Sequence, residues 1–278
     1  MDPRLQRRLQ RCGWDLAAVA YAALWQAQLS PMHARVMASA ALVPGEAVLD
    51  VACGTGIVSL AAAAAVGPNG SVVGVDLSSR MVDNARQHAR DRHVRHATFA
   101  RMDAQALELP DASVDVVLCA LGLMYLPDPV AALREMRRVL RPGGRAVMAV
   151  WGERSRCGWS RLFAIVNAEV ECEVCPRFFR LGRRDTLARS CADARFDVVA
   201  QHRIATSLDY RDADDACNAA LVGGPVALAW SRFDDHVRRR VRRRYLDAIA
   251  AWKRGRAYKI PGEFVVVDAS APASPAHA

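Results

Sequence analysis

The chain has 278 residues, 52% of them hydrophobic, eight cysteines and a formal net charge of +9 at pH 7. That is enough apolar material for one α/β domain, with or without a cap. Its apolar runs are shorter than the roughly 18 residues that cross a bilayer, and the N-terminal segment does not resemble a signal peptide. The sequence therefore predicts a cytoplasmic protein without a transmembrane segment, in which the cysteines are reduced packing residues.

Apolar residues at helical spacing predict helices over residues 5–42, with Ser30-Pro31 beginning a new helix because proline is tolerated at a first helical position. Four side chains of this segment are candidates to reach a ligand: Tyr21, Trp25, Met32 and His33. Packing of the two helices against each other explains Tyr21 and Trp25 equally well.

The stretch from Val48 to Leu60 predicts a strand, a glycine-containing turn and a helix. Gly54 and Gly56 lack a Cβ atom, so the turn can lie directly against a ligand. The helix from Ile57 directs its free N–H groups at the same place. This unit begins a βαβ crossover and forms one side of a predicted ligand site.

A second strand, Ser71 to Asp76, ends on a carboxylate twenty residues after Gly56. Doubly wound sheets place an acidic residue there against ribose hydroxyls. Ser59 replaces the third glycine of the dinucleotide fingerprint, and the turn is followed by neither Lys-Ser nor Lys-Thr. The pattern therefore favours an adenosine without a pyrophosphate.

Strands and helices then alternate at crossover lengths, which predicts a parallel sheet with right-handed connections. The predicted helices cover residues 57–66, 79–90 and 129–140, and the strands 97–100, 114–119 and 145–151. After Trp151 the order changes. Helices are predicted over residues 158–173, 183–193 and 234–252, and strands over 196–208 and 262–267.

The helix predicted over residues 234–252 contains two runs of three arginines, between Arg238 and Arg244. Its apolar residues fall on one stripe: Val237, Val241, Tyr245, Ala248, Ile249 and Trp252. We interpret the arginines as a solvated face, and contact with RNA or an anionic membrane is the alternative.

Five motifs in order resemble those of the class I S-adenosylmethionine-dependent methyltransferases. They are Asp50–Gly56, Val75–Ser78, Arg101–Ala104, Leu118–Asp128 and Leu140–Gly144. Within that family the chain is similar to small-molecule enzymes of ubiquinone and menaquinone biosynthesis.

The resemblance implies an α/β fold with a doubly wound seven-stranded sheet, mostly parallel, in which an antiparallel last strand lies between strands 5 and 6. Four regions follow from it: an N-terminal helical cap (1–45), the S-adenosylmethionine-binding core (46–151), a C-terminal half with a helical substrate-cap insertion (152–268) and a disordered tail (269–278). The insertion covers residues 209–258.

The resemblance also assigns the residues that bind the cofactor, S-adenosylmethionine. They are Asp50, Ala52, Gly54, Gly56, Asp76, Leu77, Met81, Asp103, Ala104, Cys119 and Ala120. Asp50 and the glycine turn meet the methionine portion, Asp76 accepts both ribose hydroxyls, Leu77 and Met81 enclose the adenine, and Asp103 accepts from its amino group. An ordinary helix cap or turn is the alternative role for each aspartate.

A methyltransferase of this kind transfers the methyl group by in-line displacement and can act mainly by alignment and exclusion of water. The sequence names no catalytic residue, and the candidates for a base are Tyr21, His33, Tyr125 and His236. Four apolar residues are candidates for the acceptor wall: Trp25, Trp151, Met124 and Trp230. A metal is not expected, because Cys172 and Cys175 supply two of the four ligands that a structural zinc needs.

The predicted function is transfer of a methyl group to oxygen, carbon or nitrogen of a small, partly apolar metabolite by a monomer or homodimer. The chain lacks the Asn-Pro-Pro-Tyr or Asp-Pro-Pro-Tyr motif of enzymes that methylate exocyclic amines of bases, so nucleic acid is disfavoured as a partner. Three alternatives stay open: an RNA methyltransferase that uses the helix of Arg238–Arg244, a non-catalytic cofactor-binding protein and a nicotinamide dehydrogenase.

Overall fold

A computed structural model describes residues 2–171 and 174–273. Its strands are β1 (Ala47–Val51), β2 (Ser71–Asp76), β3 (Ala97–Arg101), β4 (Val114–Ala120), β5 (Leu140–Trp151), β6 (Asp197–Tyr210), β7 (Lys253–Arg254) and β8 (Ala257–Ser270). Its helices are α1 (Pro3–Ala17), α2 (Tyr21–Ala40), α3 (Ile57–Val66), α4 (Ser79–Asp91), α5 (Pro129–Val139), α6 (Arg161–Asn167), α7 (Thr186–Asp193), α8 (Ala213–Leu221), α9 (Ala227–Arg232) and α10 (Asp235–Ile249).

The strands form one sheet in the order β3-β2-β1-β4-β5-β8-β6, and the two-residue β7 pairs with β8. Strands β1 to β5 pair in parallel, and β8 is antiparallel to both of its long neighbours. The predicted fold is therefore confirmed, including the insertion of the last long strand. The order reverses beside β1, so the carboxyl ends of β1, β2 and β4 meet at the point where α/β sheets bind ligands.

The central strands consist of apolar residues because helices cover both faces of the sheet. In β1, Val48, Leu49 and Val51 are buried, and so are Val116, Val117 and Leu118 of β4. The helix α3 begins at Ile57 and ends before Gly67, as its breakers predict. These buried strands hold the loops at their carboxyl ends in fixed positions.

The predicted break at Ser30-Pro31 is wrong, because α2 continues through Pro31. Proline has no N–H to donate to the carbonyl four residues earlier, which is that of Ala27. The hydroxyl of Ser30 donates to this carbonyl at 2.8 Å and replaces the missing bond. The chain instead breaks at residues 18–20, between α1 and α2.

The C-terminal half differs from expectation at two places. The helix predicted over residues 158–173 is regular only from Arg161 to Asn167. The last strand extends to Ser270, and Ala269 and Ala271 are buried. The start of the predicted disordered tail therefore belongs to the sheet, held where the N–H of Ala271 donates to the carbonyl of Gly144. Residues 274–278 lie outside the described residues.

Three helices, α8, α9 and α10, lie between β6 and β7 and form the predicted insertion. Several arginines of α10 make ion pairs within the protein: Arg240 and Arg244 with Glu169, and Arg242 with Asp214. Part of this basic face is thus neutralised internally, which agrees with a solvated face.

Across residues 2–171 and 174–273, every helix is too short or too polar to cross a membrane.

Candidate functional site

The turn after β1 lies against the end of β2. Ala52, Gly54 and Gly56 all have positive φ, at +56°, +54° and +81°. A Cβ at Gly56 would be 3.0 Å from the Cβ of Ala85 on α4, so this position needs glycine for space as well as for conformation. The N–H of Gly54 donates to Oδ2 of Asp76 at 2.9 Å. The two strand ends are therefore joined directly.

Asp76 is held from both sides by backbone donors. Its Oδ1 accepts from the N–H of Ser78 at 2.8 Å, while Oδ2 accepts from Gly54. Burial raises its pKa to about 6, against the lowering effect of these hydrogen bonds. A carboxylate oxygen has two acceptor sites, so each oxygen keeps capacity for a hydroxyl donor.

A third loop closes the other side of Asp76. The N–H of Met102 donates to the backbone carbonyl of Asp76 at 3.1 Å. The side chain of Asp103 accepts from the N–H of Gln105 at 2.9 Å and forms an ion pair with Arg7 of α1 at 3.5 Å. The ends of β2 and β3 thus present two carboxylates on one side of the same space.

Gly122, which follows β4, is a site residue that the sequence analysis missed. A Cβ at this position would lie 2.5 Å from the Cβ of Ala52 and 3.0 Å from Sγ of Cys119. Glycine therefore allows the loop after β4 to touch the loop after β1. Its φ is −94°, which other residues also adopt, so the close contact with Ala52 is the reason for glycine at this position. A contact between two distant loops leaves no local pattern in a single sequence.

These loops enclose a cavity of about 60 Å³. Its walls are Arg7, Gln10, Ala52, Val75, Asp76, Leu77, Met102, Asp103, Ala104, Gly122, Tyr125, Leu126 and Pro127. Five predicted cofactor residues are among them: Ala52, Asp76, Leu77, Asp103 and Ala104. Six others do not line it: Asp50, Gly54, Gly56, Met81, Cys119 and Ala120. The cofactor contact of each residue stays a prediction.

Helix α1 covers this cavity. Asp15 accepts from the hydroxyl of Ser78 at 2.6 Å, at the N-terminus of α4, and Gln6 donates to the carbonyl of Tyr125. Ligand pockets for small molecules usually measure roughly 300–1,000 Å³, so we expect α1 to move outward when a nucleoside binds. The residue types at this cavity fit an adenosine.

Asp50 is a second carboxylate in the same region, and it is fully buried. It is 1% exposed, and its Oδ2 accepts from the hydroxyl of Ser59 at 2.5 Å. Burial raises its pKa to about 7, with a smaller contribution from the charge of Asp76. Among the described residues, neither Asp50 nor Asp76 has a cationic side chain within 4 Å. A buried and a half-buried carboxylate without a counter-ion suit a ligand that carries positive charge.

We expect this arrangement to make the ligand-free protein less stable as pH rises. Because the folded state holds the proton of Asp50 more tightly than the unfolded chain does, the free energy of unfolding falls between about pH 4 and pH 7. Asp50→Asn cannot ionise and still accepts from Ser59. The melting temperature of this variant should exceed that of the wild type by several degrees at pH 8, and the difference should nearly vanish at pH 4.

Thermal unfolding at both pH values, with the exposed Asp83→Asn as control, tests this expectation. If the melting temperature of Asp50→Asn depended on pH as that of the wild type does, the pKa of Asp50 would not be raised in the folded state, and the expectation would be wrong.

The candidates for a catalytic base differ in position. Tyr21 and Tyr125 lie near the cavity, each in edge contact with Trp14, at centroid distances of 5.7 and 5.0 Å. Burial raises the pKa of both phenols above 10, which disfavours a phenolate at neutral pH. His33 lies twelve residues along α2 from Tyr21, or about 18 Å, and lines none of the cavities described here. Burial lowers its pKa to about 4.

His236 is exposed on α10, where its Nδ1 lies 3.0 Å from a guanidinium nitrogen of Arg240. It therefore lies on the surface and not at the cavity.

A second cavity, of about 440 Å³, lies on the other side of α1. It is lined by Gln6, Leu9, Gln10, Gly13, Trp14, Glu169, Val170, Glu171, Val174, Cys175, Pro176, Pro225, Leu228, Ala229, Arg232 and Phe233. Gln10 borders both cavities, and its Nε2 lies 3.2 Å from Sγ of Cys175. We refer to this space as the α1–α9 cavity.

The predicted wall residues do not line the α1–α9 cavity. Trp25, Trp151 and Met124 are buried in the core, where the indole of Trp25 donates to the carbonyl of Ala219 at 3.1 Å. Trp230 packs against Phe233 and under the guanidinium of Arg238. Large apolar side chains are typical of pocket walls, which is why these four residues were candidates. In the structure they pack between helices and strands instead.

The Cys172–Cys175 pair cannot be assessed as a ligand set, because Cys172 lies outside the described residues. Within the described residues, groups of three or more potential metal ligands do not occur.

Part of the sheet and its loops is similar to one family of known proteins. A model of the methyltransferase domain family matches residues 48–144. The demethylmenaquinone methyltransferase of Anoxybacillus flavithermus is 36% identical over 119 residues, which is 43% of this chain and 50% of the relative. The aklanonic acid methyltransferase of Streptomyces sp. (strain C5) is 35% identical over 132 residues, which is 48% of this chain and 60% of the relative.

The chain thus spans about half the length of the curated relatives it matches. Among solved structures, the crystal structure of the cyclase SpnF is similar, with a TM-score of 0.61 and 21% identity. The match covers 90% of this chain and 83% of that one, and it is a likeness of fold.

Proposed function

We propose that this chain is a class I S-adenosylmethionine-dependent methyltransferase and that it methylates oxygen, carbon or nitrogen of a small, partly apolar molecule. Its fold and its match to the methyltransferase domain family support this proposal. The observation that carries the proposal is the hydrogen bond between Gly54 and Asp76. It joins the ends of two adjacent parallel strands around a half-buried carboxylate, which is the arrangement that recognises a ribose in doubly wound folds.

The residues present suggest how the cofactor would be held. Asp76 would accept from the ribose hydroxyls, Leu77 and Met102 would contact the adenine, and Asp103 would accept from its amino group. Asp50 and the turn of Gly54 would face the positively charged methionine portion. S-adenosylmethionine supplies a methyl group on a positively charged sulfur, which is a good leaving group.

The chain itself aligns the methyl donor with the acceptor and excludes water from the site. Closing of α1 over the bound cofactor would remove water from the space between the strand ends, and this would strengthen the electrostatic interactions of Asp50 and Asp76 with the cofactor. The raised pKa of Tyr21 and Tyr125 keeps their phenols protonated, so they can donate a hydrogen bond to an acceptor or pack against it. A specific base is not needed for such a transfer.

The α1–α9 cavity is our candidate for the acceptor site. Its size lies within the usual range for small-molecule pockets, and Leu9, Val174, Leu228 and Phe233 make it largely apolar. A small-molecule acceptor also agrees with the names of two relatives, which are methyltransferases of demethylmenaquinone and of aklanonic acid. The monomeric or dimeric state and the cytoplasmic location stay predictions.

The test is calorimetric binding of S-adenosylhomocysteine and of NADH, followed by transfer of a labelled methyl group to metabolite extracts. We expect S-adenosylhomocysteine to bind with a dissociation constant of about 1–100 μM and NADH not to compete. Label should appear in a small organic-soluble product and not in RNA.

Binding without transfer to any extract would favour the non-catalytic alternative. Competition by NADH would favour a dehydrogenase, and both results would contradict the proposed activity.

A further inference from the structure

A third cavity, of about 910 Å³, opens beside the 3₁₀ turns that precede α6. We call it the arginine cleft. Five arginines and one carboxylate border it: Arg154, Arg161, Arg177, Arg180, Arg183 and Glu153. It shares the segment from Val174 to Pro176 with the α1–α9 cavity, and it lies outside the site that we assign to the cofactor.

Carboxylates of residues 2–171 and 174–273 do not balance the positive charge of the arginine cleft. The carboxylate of Glu153 accepts from the backbone N–H of Arg184 at 3.3 Å and lies 4.0 Å from Arg203, so it is already engaged. Arg177, Arg180 and Arg183 are exposed, and each lies more than 4 Å from every carboxylate of the described residues. The arginines of α10 differ, since Glu169 and Asp214 pair with three of them.

The floor of the arginine cleft is aromatic. It contains Phe163, Phe178, Phe179 and Trp252, and the guanidinium of Arg161 lies 5.7 Å from the ring centre of Trp252. Aromatic side chains beside several guanidinium groups suit a planar apolar body with an anionic substituent. Phe178 also packs edge-on against Tyr125, at 5.4 Å, which connects this floor to the cofactor cavity.

We propose that the arginine cleft binds a small aromatic molecule that carries a carboxylate or a phosphate. Its volume is that of a small-molecule pocket, and its lining includes aromatic side chains as well as arginines. Arginine favours these anions because its planar donors can bind two oxygens at once. This inference goes beyond methyl transfer and does not depend on it.

The experiment compares 1-naphthoate with the neutral 1-naphthalenemethanol by calorimetry at low salt, on the full chain. We expect naphthoate to bind at least about tenfold more tightly to the wild type, with a preference that falls as salt is added. In Arg177→Gln/Arg180→Gln/Arg183→Gln the preference for naphthoate should fall by at least about threefold, because Arg154 and Arg161 remain. The matched control, Arg92→Gln/Arg239→Gln/Arg243→Gln, loses the same charge elsewhere and should keep the preference.

Equal binding of the two probes to the wild type would overturn the inference, and so would an unchanged preference in the cleft variant. Displacement of naphthoate by a short single-stranded RNA at near-physiological salt would also overturn it, since the cleft would then recognise a polymer. Binding of S-adenosylhomocysteine is measured separately on the same samples. A protein that binds naphthoate but not S-adenosylhomocysteine would leave this inference standing while the proposed function failed.

Discussion

Replacing Asp76 with alanine is expected to weaken binding of S-adenosylhomocysteine by roughly 100-fold or more. Hydrogen bonds to a charged group contribute about 1.5–3 kcal/mol each, and the proposed contact has two of them. The change also leaves the N–H groups of Gly54 and Ser78 without their acceptor, so the loops at the strand ends lose an anchor. Calorimetry of the purified variant measures the affinity.

Two further variants separate recognition from folding. Asp76→Asn keeps one acceptor oxygen for the backbone and should still lose at least about tenfold in affinity, because it has no charge and one acceptor fewer. Asp83→Ala, on the exposed side of α4, should bind as the wild type does. Wild-type affinity in a folded Asp76→Ala protein would remove Asp76 from the site.

The second large effect is expected at the contact between the loops after β1 and β4. Gly122→Ala would place two Cβ atoms 2.5 Å apart, so the loops must separate. We expect a loss of about 1–3 kcal/mol in the free energy of unfolding and at least tenfold weaker binding of S-adenosylhomocysteine. Chemical denaturation and calorimetry measure the two effects.

Ala52 offers a matched rescue for this change. Its φ of +56° suits glycine, so Ala52→Gly alone should be neutral or slightly stabilising. In the double variant Ala52→Gly/Gly122→Ala the clash between Cβ atoms is absent, and more than half of the lost stability should return. Additive effects of the two changes would show that their direct contact does not cause the instability.

The sequence predicted those features of the structure that depend on residues close together in the chain. The turn of Gly54 and Gly56, the carboxylate of Asp76 and the alternation of strands and helices are local patterns, and the fold that they predict is confirmed. The resemblance to known methyltransferases added the position of the last long strand, which no local pattern indicates.

Features that depend on distant contacts could not be predicted. Arg7 meets Asp103 across 96 positions of sequence, and Gly122 is distinguished only by its approach to Ala52. His33 looked suitable by residue type, but the direction of α2 carries it away from the strand ends. Pro31 looked like a helix start because the compensating hydroxyl of Ser30 cannot be recognised without the backbone.

The most direct measurement is a crystal structure of the protein with S-adenosylhomocysteine. The predicted result is α1 displaced outward, both ribose hydroxyls about 3 Å from the carboxylate of Asp76, and the adenine beside Leu77 with its amino group at Asp103. A ligand bound elsewhere, or an Asp76 that touches only the N–H groups of Gly54 and Ser78, would contradict it.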